Sequence, residues 1–576
     1  VSPKHLTYIA NLLLLLVLAR VIYLQLQKGP ELTLKAITNV YSSQFGSAPR
    51  GLILDWRDNI LVEDEKTYCL DMPIKFSKRK KEVESQVNQA IDSLTKVISV
   101  EESELSWNEK SLTLSVCDLS HEKLVQAFRE RHNLPTFFIS EKYRRKNNYP
   151  FEFAHVVGYL GSPSAEEKRQ LAQLGFNPQE LIGKAGLERS FDLLLRGYPQ
   201  VYKVIYNAKR QVLSKQPIRQ VIKGSNVKLA LDLNWQKLAF NLLGNRAGSI
   251  IVFDLDTNEV RVLVSKPSFD PNAFNLSNHE KIRSFLESPD KPLLFRATQG
   301  LYPPGSVVKM FSAILASSQI NVSQFIEYCN GGKVVGGKFL KCHKHEGHGK
   351  INLSKAIRES CDTFFYSLAQ RFNYSDFFQG YKSLGLMEKL EFPLPVKQGL
   401  IVPPEKVRNS LFESALISIG QGTFSISPFQ LGVLINGLAT DGKIFRPILV
   451  KEISDQMGQI TFKAKPQILW SFDFPKPLKE EIWKGLIEAV NHPTGTAYKA
   501  GFPDGLVAGK TGTAQVVELK KHVKGSRLDH HAWFVGFWPI KPKPRYSIVV
   551  QVEHGGSGGK VAAPLAAEFI RLVNGI

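Results

Sequence analysis

The 576-residue sequence is short of several features that would place it quickly. It has no internal repeat, which excludes a solenoid or propeller. Outside residues 6–26 no stretch is as long and apolar, which excludes a bundle of membrane spans. Cysteine occurs five times, an odd number, so at least one thiol stays outside any disulfide or some are held by a metal. Acidic residues are outnumbered by basic ones, 53 to 74, for a net charge of +21. That balance favours anionic partners, but the Lys and Arg are spread along the chain and form no basic arm. Hydrophobic residues make up 43%, which excludes a disordered chain, and the length calls for two or more domains.

What is present begins with "LTYIANLLLLLVLARVIYLQL", residues 6–26, with Arg20 its one charge. As a helix it is long enough for ~30 Å of hydrocarbon. Lys4 and His5 precede it, and the positive-inside rule keeps residues 1–5 in the cytoplasm and sends the rest outward. No small-x-small cleavage site follows, so the stretch reads as an uncleaved signal-anchor, with Arg20 snorkelling to the interface or facing a partner helix. An extracytoplasmic body excludes nucleic acid as the natural partner of the positive charge, and exported thiols tend to pair.

Residues 27–225 mix a strand-like "GLILDWRDNILVED" (51–64), a charged helical stretch (75–98) and turn-and-helix segments at 149–161 and 183–200. No Ser, Cys, His and Asp fall there at catalytic spacing, and the region reads as a scaffold. From 226 the pattern changes. A strand and a helix occupy 221–243, and 247–274 reads as a β-hairpin of two alternating apolar runs about the turn Asp256-Thr257-Asn258. Three strand candidates close the chain. Helical segments at 306–318, 350–372, 377–384 and 475–491 lie between. Strands at both ends with helices between predict a mixed α+β fold, one antiparallel sheet carrying helices on its faces.

The chemistry is concentrated in "YPPGSVVKMFSAILAS", residues 302–317. Two prolines and a glycine stop the chain, Ser306 follows, and the next run is apolar except for Lys309. A buried ammonium costs several kcal/mol unless paired. Residues i and i+3 of a helix share a face, so Lys309 reaches Ser306, and burial lowers a lysine pKa toward the range of a general base. The helix start offers N–H groups where an oxyanion would form. In "ESCDTFFY", Ser360 and Asp362 stand at the mouth of a helix, where Ser360 relays a proton or simply caps the helix. In "LVAGKTGTAQVV", Lys510, Thr511 and Thr513 suit a substrate carboxylate, and Gly512 keeps bulk off a strand along which a peptide can lie.

The ordered set S-x-x-K, S-x-D, K-T-G resembles that of the penicillin-binding proteins. The stretches "RATQGLYPPGSVVK", "ISIGQGTFSISPFQL", "HPTGTA" and "HAWFVGFWP" are similar to the family's surroundings of its site, and Arg50-Gly51 and "GLERSFDLLLRG" to the anchor and pedestal of its class B members. There is no room for a glycosyltransferase domain. Asp362, where division-type enzymes usually carry Asn, and Gly347-His348-Gly349 resemble the elongation type. The resemblance implies a transmembrane helix (6–26), an elongated pedestal (27–225) and a transpeptidase domain (226–576). It implies a single-pass protein of the bacterial cytoplasmic membrane with its catalytic domain outside, cross-linking peptidoglycan stem peptides and acylated by β-lactams. It implies Ser306 as nucleophile, Lys309 as base, Ser360 as proton relay, Asp362 on the peptide amide, the N–H groups of Ser306 and Thr513 as oxyanion hole, and Lys510, Thr511 and Thr513 on the terminal carboxylate. No catalytic cofactor is implied, and a SEDS-family glycosyltransferase is the implied membrane partner. The alternatives are a division-type transpeptidase, a carboxypeptidase or β-lactamase in which water resolves the acyl-enzyme, and a scaffold that chiefly activates a polymerase.

Residues 328–361 carry one further pattern. Cys329, Cys342 and Cys361 lie there with His343, His345 and His348. Three thiolates and His348 make a closed tetrahedral set for structural zinc, with His345 in reserve. The competing reading is a Cys329–Cys342 disulfide beside a buried Cys361 thiol.

Overall fold

The computed structural model describes residues 3–29, 41–74, 79–101, 105–108, 113–206, 212–503, 505–515 and 529–576. Residues 1 and 2 of the expected cytoplasmic stub and 75–78 of the charged helical stretch lie outside them. The first element is helix α1 (Pro3–Leu26), continuous because it holds no internal proline or glycine. Its span Thr7–Leu26 is, among the described residues, the one helix long and apolar enough to cross a bilayer, and none of it is buried against the rest of the protein.

The pedestal is built on an eight-stranded sheet. Its long strand, Ile60–Pro73, pairs with Phe138–Asn147 on one side and, through Leu70–Pro73, with Thr113–Val116 on the other. Helix Lys80–Ile98 turns Ala90, Leu94 and Ile98 into a small core with Leu70, Met72 and Leu114. A Cys69–Cys117 disulfide joins two of these segments. The sheet does not stop where the pedestal sequence does. Asn226–Leu229 pairs in parallel with Ile53–Leu54 and antiparallel with Val450–Ser454, so a strand from deep in the second half of the chain extends the pedestal sheet.

The second sheet is antiparallel and five-stranded. It contains β1 (Gly248–Asp254), β2 (Glu259–Lys266), β3 (Ala508–Ala514), β4 (His531–Trp538) and β5 (Tyr546–Val552), in the order β2-β1-β5-β4-β3. The hairpin read at 247–274 is there, with Asn258 left-handed at its turn (φ 59°). The expected half-buried alternation is not: every residue of β1 is buried. Ile250 and Val252 pack under the C-terminal helix Ala562–Val573, while Ile251 and Phe253 join the larger core with Met310 and Phe311. A sheet covered on both faces needs apolar residues on both. Four alanines, Ala562, Ala563, Ala566 and Ala567, let the C-terminal helix lie close to its side of the sheet.

The helical segment expected over 350–372 is two helices, Leu353–Arg358 and Asp362–Ala369. Ser360, with φ 56°, sits in the left-handed region between them and breaks the run. Helix Pro428–Ala439, which the reading passed over, fills the core beneath β1 through Phe429.

Candidate active site

The nucleophile candidate sits on a turn assembled from three directions. Gly305 is left-handed (φ 61°), and a Cβ there would lie 2.9 Å from Thr513 O. Its N–H donates to Gly420 O at 2.8 Å. Trp533 Nε1, from the middle of β4, donates to Pro303 O at 3.1 Å. Residues Gly305–Val308 form a 3₁₀ turn and the α-helix proper, Lys309–Ala316, begins one turn later than expected. In a 3₁₀ turn i and i+3 eclipse, so Ser306 and Lys309 share an edge. Ser306 is half-buried while Val307 to Phe311 are buried.

Lys309 is fully buried. Its Nζ donates to Ser360 O at 2.8 Å, to Ser360 Oγ at 3.3 Å and to Asp362 Oδ1 at 2.7 Å. The left-handed bend at Ser360 is what aims both of its oxygens at the lysine. Ser360 does not cap the following helix: Cys361 occupies that position, without a side-chain cap. Asp362 was assigned to the peptide amide; the structure ties it to Lys309 and, through Oδ2, to the backbone N–H of His343 at 3.0 Å. Burial by itself raises a carboxyl pKa, but the Lys309 ammonium and the His343 ring outweigh it and hold Asp362 below the usual carboxylate range.

The third motif lies on β3, the edge strand of the sheet. Lys510 is fully buried and its Nζ donates to Thr511 O at 3.0 Å. Burial and the neighbouring Lys309 charge push its pKa well below that of a free lysine. Gly512 also serves the fold: a Cβ there would lie 2.9 Å from Val307 Cγ1 and 3.0 Å from Pro304 O, so the glycine admits the Ser306 turn. Thr511 Oγ1 donates to Thr496 Oγ1 at 2.8 Å, and Thr513 Oγ1 accepts from Gly558 N at 3.3 Å. Thr513 is exposed.

The structure therefore gathers Lys309, Ser360 and Asp362 into one bonded cluster, and packs the Ser306 turn against the strand of Lys510 to Thr513. Trp533, Thr496 and Gln421, which the reading did not single out, support these groups. They fall in "HAWFVGFWP", "HPTGTA" and "ISIGQGTFSISPFQL", the stretches that prompted the resemblance.

Next to this cluster Cys329, Cys342, His348 and Cys361 are all buried, with ligand atoms within 4.8 Å of one another. His348 Nδ1 stands 3.5 Å from Cys329 Sγ and 3.6 Å from Cys342 Sγ, and Cys342 Sγ is 4.0 Å from Cys361 Sγ. Gly347 and Gly349, both left-handed, turn the His348 ring inward. All three cysteines are free, so the Cys329–Cys342 disulfide is not formed. The group touches the catalytic cluster directly: Asp362 N donates to Cys342 Sγ at 3.4 Å, and His343 and Ser360 are each next to a thiol in sequence.

This serine turn, buried lysine and K-T-G edge strand define a serine acyl transferase of the penicillin-binding kind. Residues 248–571 match the penicillin binding protein transpeptidase domain, and residues 46–229 the penicillin-binding protein dimerisation domain. The chain belongs to the penicillin-binding protein family. It is 29% identical over 583 residues to the peptidoglycan D,D-transpeptidase MrdA of Acinetobacter baumannii, covering 96% of this chain and 85% of that one. It is similar to the penicillin-binding protein (PBP2) of Helicobacter pylori in complex with MreC, at TM-score 0.75 and 25% identity over 93% of this chain and 99% of that one. The PBP2 of Pseudomonas aeruginosa in complex with WCK 5153 superposes at TM-score 0.66 and 25% identity, with coverages of 92% and 96%.

Proposed function

We propose that this chain is an elongation-type peptidoglycan D,D-transpeptidase, held by α1 in the bacterial cytoplasmic membrane with its catalytic domain outside. The observation that carries the reading is the Lys309–Ser360–Asp362 cluster packed beside the half-buried Ser306 turn. Ser306 Oγ attacks the carbonyl of the penultimate D-alanine of a stem peptide, and Lys309, neutral at that step, accepts its proton. The N–H groups of Ser306 and Thr513 stabilise the oxyanion. Ser360, bonded to Lys309, passes a proton to the nitrogen of the departing D-alanine as the C–N bond breaks. Lys510 with Thr511 and Thr513 attracts the terminal carboxylate. An amine of a neighbouring stem then attacks the Ser306 ester, forms the new amide and frees the serine. In this scheme Asp362 orients Lys309 and leaves the substrate to others.

The Cys329, Cys342, His348 and Cys361 set fits one structural zinc ion. A tetrahedron with zinc–sulfur bonds of about 2.3 Å and a zinc–nitrogen bond of about 2.0 Å has edges of roughly 3.5–3.8 Å. Held by three thiolates and the His348 imidazole, such an ion would supply a cross-link among these segments, with no open position for water. Cys342 and Cys361 then hold His343 and Asp362 at their distances from Lys309. By likeness to the Helicobacter pylori complex a MreC-type partner is assigned to this chain, and by its class B character a SEDS-family glycosyltransferase. Treatment with benzylpenicillin and peptide mapping test the reading: one adduct on Ser306 is expected, and an adduct elsewhere, or none on folded protein, refutes it. Formation of a cross-linked amide when an amine acceptor is supplied separates transpeptidation from hydrolysis.

A further inference from the structure

The edge of β3 that a donor peptide would join is already engaged by a side chain of this protein. In an antiparallel edge strand, alternate residues turn their N–H and C=O outward. Here Thr513 and Gln515 do so, and both are met by Gln421. Its Nε2 donates to Thr513 O at 3.2 Å, and its Oε1 accepts from Gln515 N at 3.3 Å. One carboxamide thus makes the acceptor and donor contacts of an added strand. The loop is built to place it there. Gly420 (φ 71°) and Gly422 (φ 70°) flank Gln421 in left-handed conformations, and Gly420 O accepts from Gly305 N at 2.8 Å, next to Ser306. A Cβ on Gly420 would lie 2.3 Å from Gly305 O, so only glycine lets this loop approach the nucleophile turn so closely.

We infer that Gln421 is a stand-in for the donor peptide: its carboxamide holds Thr513 O and Gln515 N in the free enzyme and is displaced when the backbone of the donor stem pairs with the β3 edge. The inference rests on the peptidoglycan reading above, in which Thr513 N–H faces the oxyanion. The carbonyl of the same residue is then the acceptor that a donor amide N–H needs, and Gln421 occupies it. Both contacts are exposed, so a peptide with two matching groups exchanges for them at little cost. Gln421 is a positioning residue by this account: it sets how readily the donor docks and leaves the bond-making step alone.

The test compares the full chain with its Gln421→Met variant, using benzylpenicillin, which carries an acyl-amide N–H on C6, and penicillanic acid, whose C6 carries no nitrogen. A wild-type adduct on Ser306 first establishes the underlying reading; its absence would fault that reading and not Gln421. In Gln421→Met, acylation by benzylpenicillin at low concentration rises roughly three- to tenfold, the scale of one or two exposed hydrogen bonds, through tighter half-saturation with an unchanged limiting rate. Acylation by penicillanic acid changes less than about twofold, since it has no N–H to place on Thr513 O. Gln421→Ala, which removes the same amide without adding bulk, behaves alike. Amide exchange at Gln515 is slower in the wild type than in either variant. Slower or unchanged acylation by benzylpenicillin, equal gains with both compounds, a change confined to the limiting rate, or equal exchange at Gln515 would each overturn the inference.

Discussion

Two clusters of buried charge, one in the pedestal and one in the transpeptidase domain, are built on opposite plans. In the pedestal, Glu188 takes Arg50 Nη2 at 2.7 Å and Arg145 Nε at 2.6 Å. Asp192 takes Arg50 at 2.9 Å, Asp64 takes Arg145 at 3.0 Å, and Arg196 joins Asp192 at 3.0 Å. Cations and carboxylates alternate, and Glu188 is held below its usual pKa because Arg145 and Arg50 outweigh its burial. In the catalytic cluster two lysines, Lys309 and Lys510, are fully buried; among the described residues Lys309 pairs with the carboxylate of Asp362, and Lys510 donates to a backbone carbonyl. A balanced cluster is a fastener, and it ties residues 50, 64, 145, 188, 192 and 196 across the pedestal. An unbalanced one makes a second proton hard to hold, which lowers the Lys510 pKa and suits a lysine that must accept a proton.

The contrast can be broken first at Lys309. Lys309→Ala should slow acylation by roughly 10²- to 10⁴-fold, the usual worth of general acid–base catalysis, and leave the far-ultraviolet circular dichroism unchanged. A loss under about tenfold, ~1.4 kcal/mol, would remove Lys309 from the role of base. The mirror experiment is Glu188→Gln. It removes one of the two carboxylates that hold each of Arg50 and Arg145, so unfolding should cost about 3–5 kcal/mol less in chemical denaturation, while acylation of the protein still folded stays within about twofold. Catalysis that fell in step with stability would mean that the two clusters are not separate. Metal removal sharpens the comparison further. Protein purified without added metal or chelator should hold about one zinc per chain, and stripping it should lower the melting temperature and slow acylation roughly ten- to a hundredfold by loosening the Ser360 bend. Less than about 0.2 zinc per chain by elemental analysis would refute the site.

The smallest effect belongs to His155, where pedestal and transpeptidase segments meet. Its Nε2 lies 2.9 Å from Pro292 O, its ring stacks on Phe295, and burial pushes its pKa down to about 4 from 6.5. Between those values the unfolded chain binds the proton and the folded one does not, so stability is full above pH 6.5 and is lost as pH falls toward 4. By pH 5.5 the loss should reach about 1.4 kcal/mol. His155→Gln, which keeps a donor for Pro292 O, should flatten that slope in unfolding curves taken between pH 7.5 and 5.5.

Where the sequence was readable, short-range chemistry was the reason. A proline pair, a glycine, a serine and a lone lysine in an apolar run mark a turn that enters a buried segment, as Gly305–Val308 does. Asn258 flanked by apolar runs specifies a hairpin, and twenty-odd apolar residues specify a span. The Cys329, Cys342, His348 and Cys361 group was legible because its members fall within 33 residues and two glycines turn the histidine inward. Where the reading stopped short, the deciding partner was far away in the chain. Asp362 binds Lys309 because the two helices meet across 53 residues. Gly512 admits the Ser306 turn from over 200 residues away, and Val450–Ser454 extends a sheet begun at Ile53. Cys69 found Cys117 through neighbouring segments of a sheet that no spacing announces. The sequence by itself determined the class of chemistry and the long apolar N-terminal helix, because each is encoded in residues that are neighbours. Only the tertiary structure decided which charges are paired, which edge is covered and which glycines are obligatory, because burial, and with it the cost of an unpaired group, is a property of the packed chain.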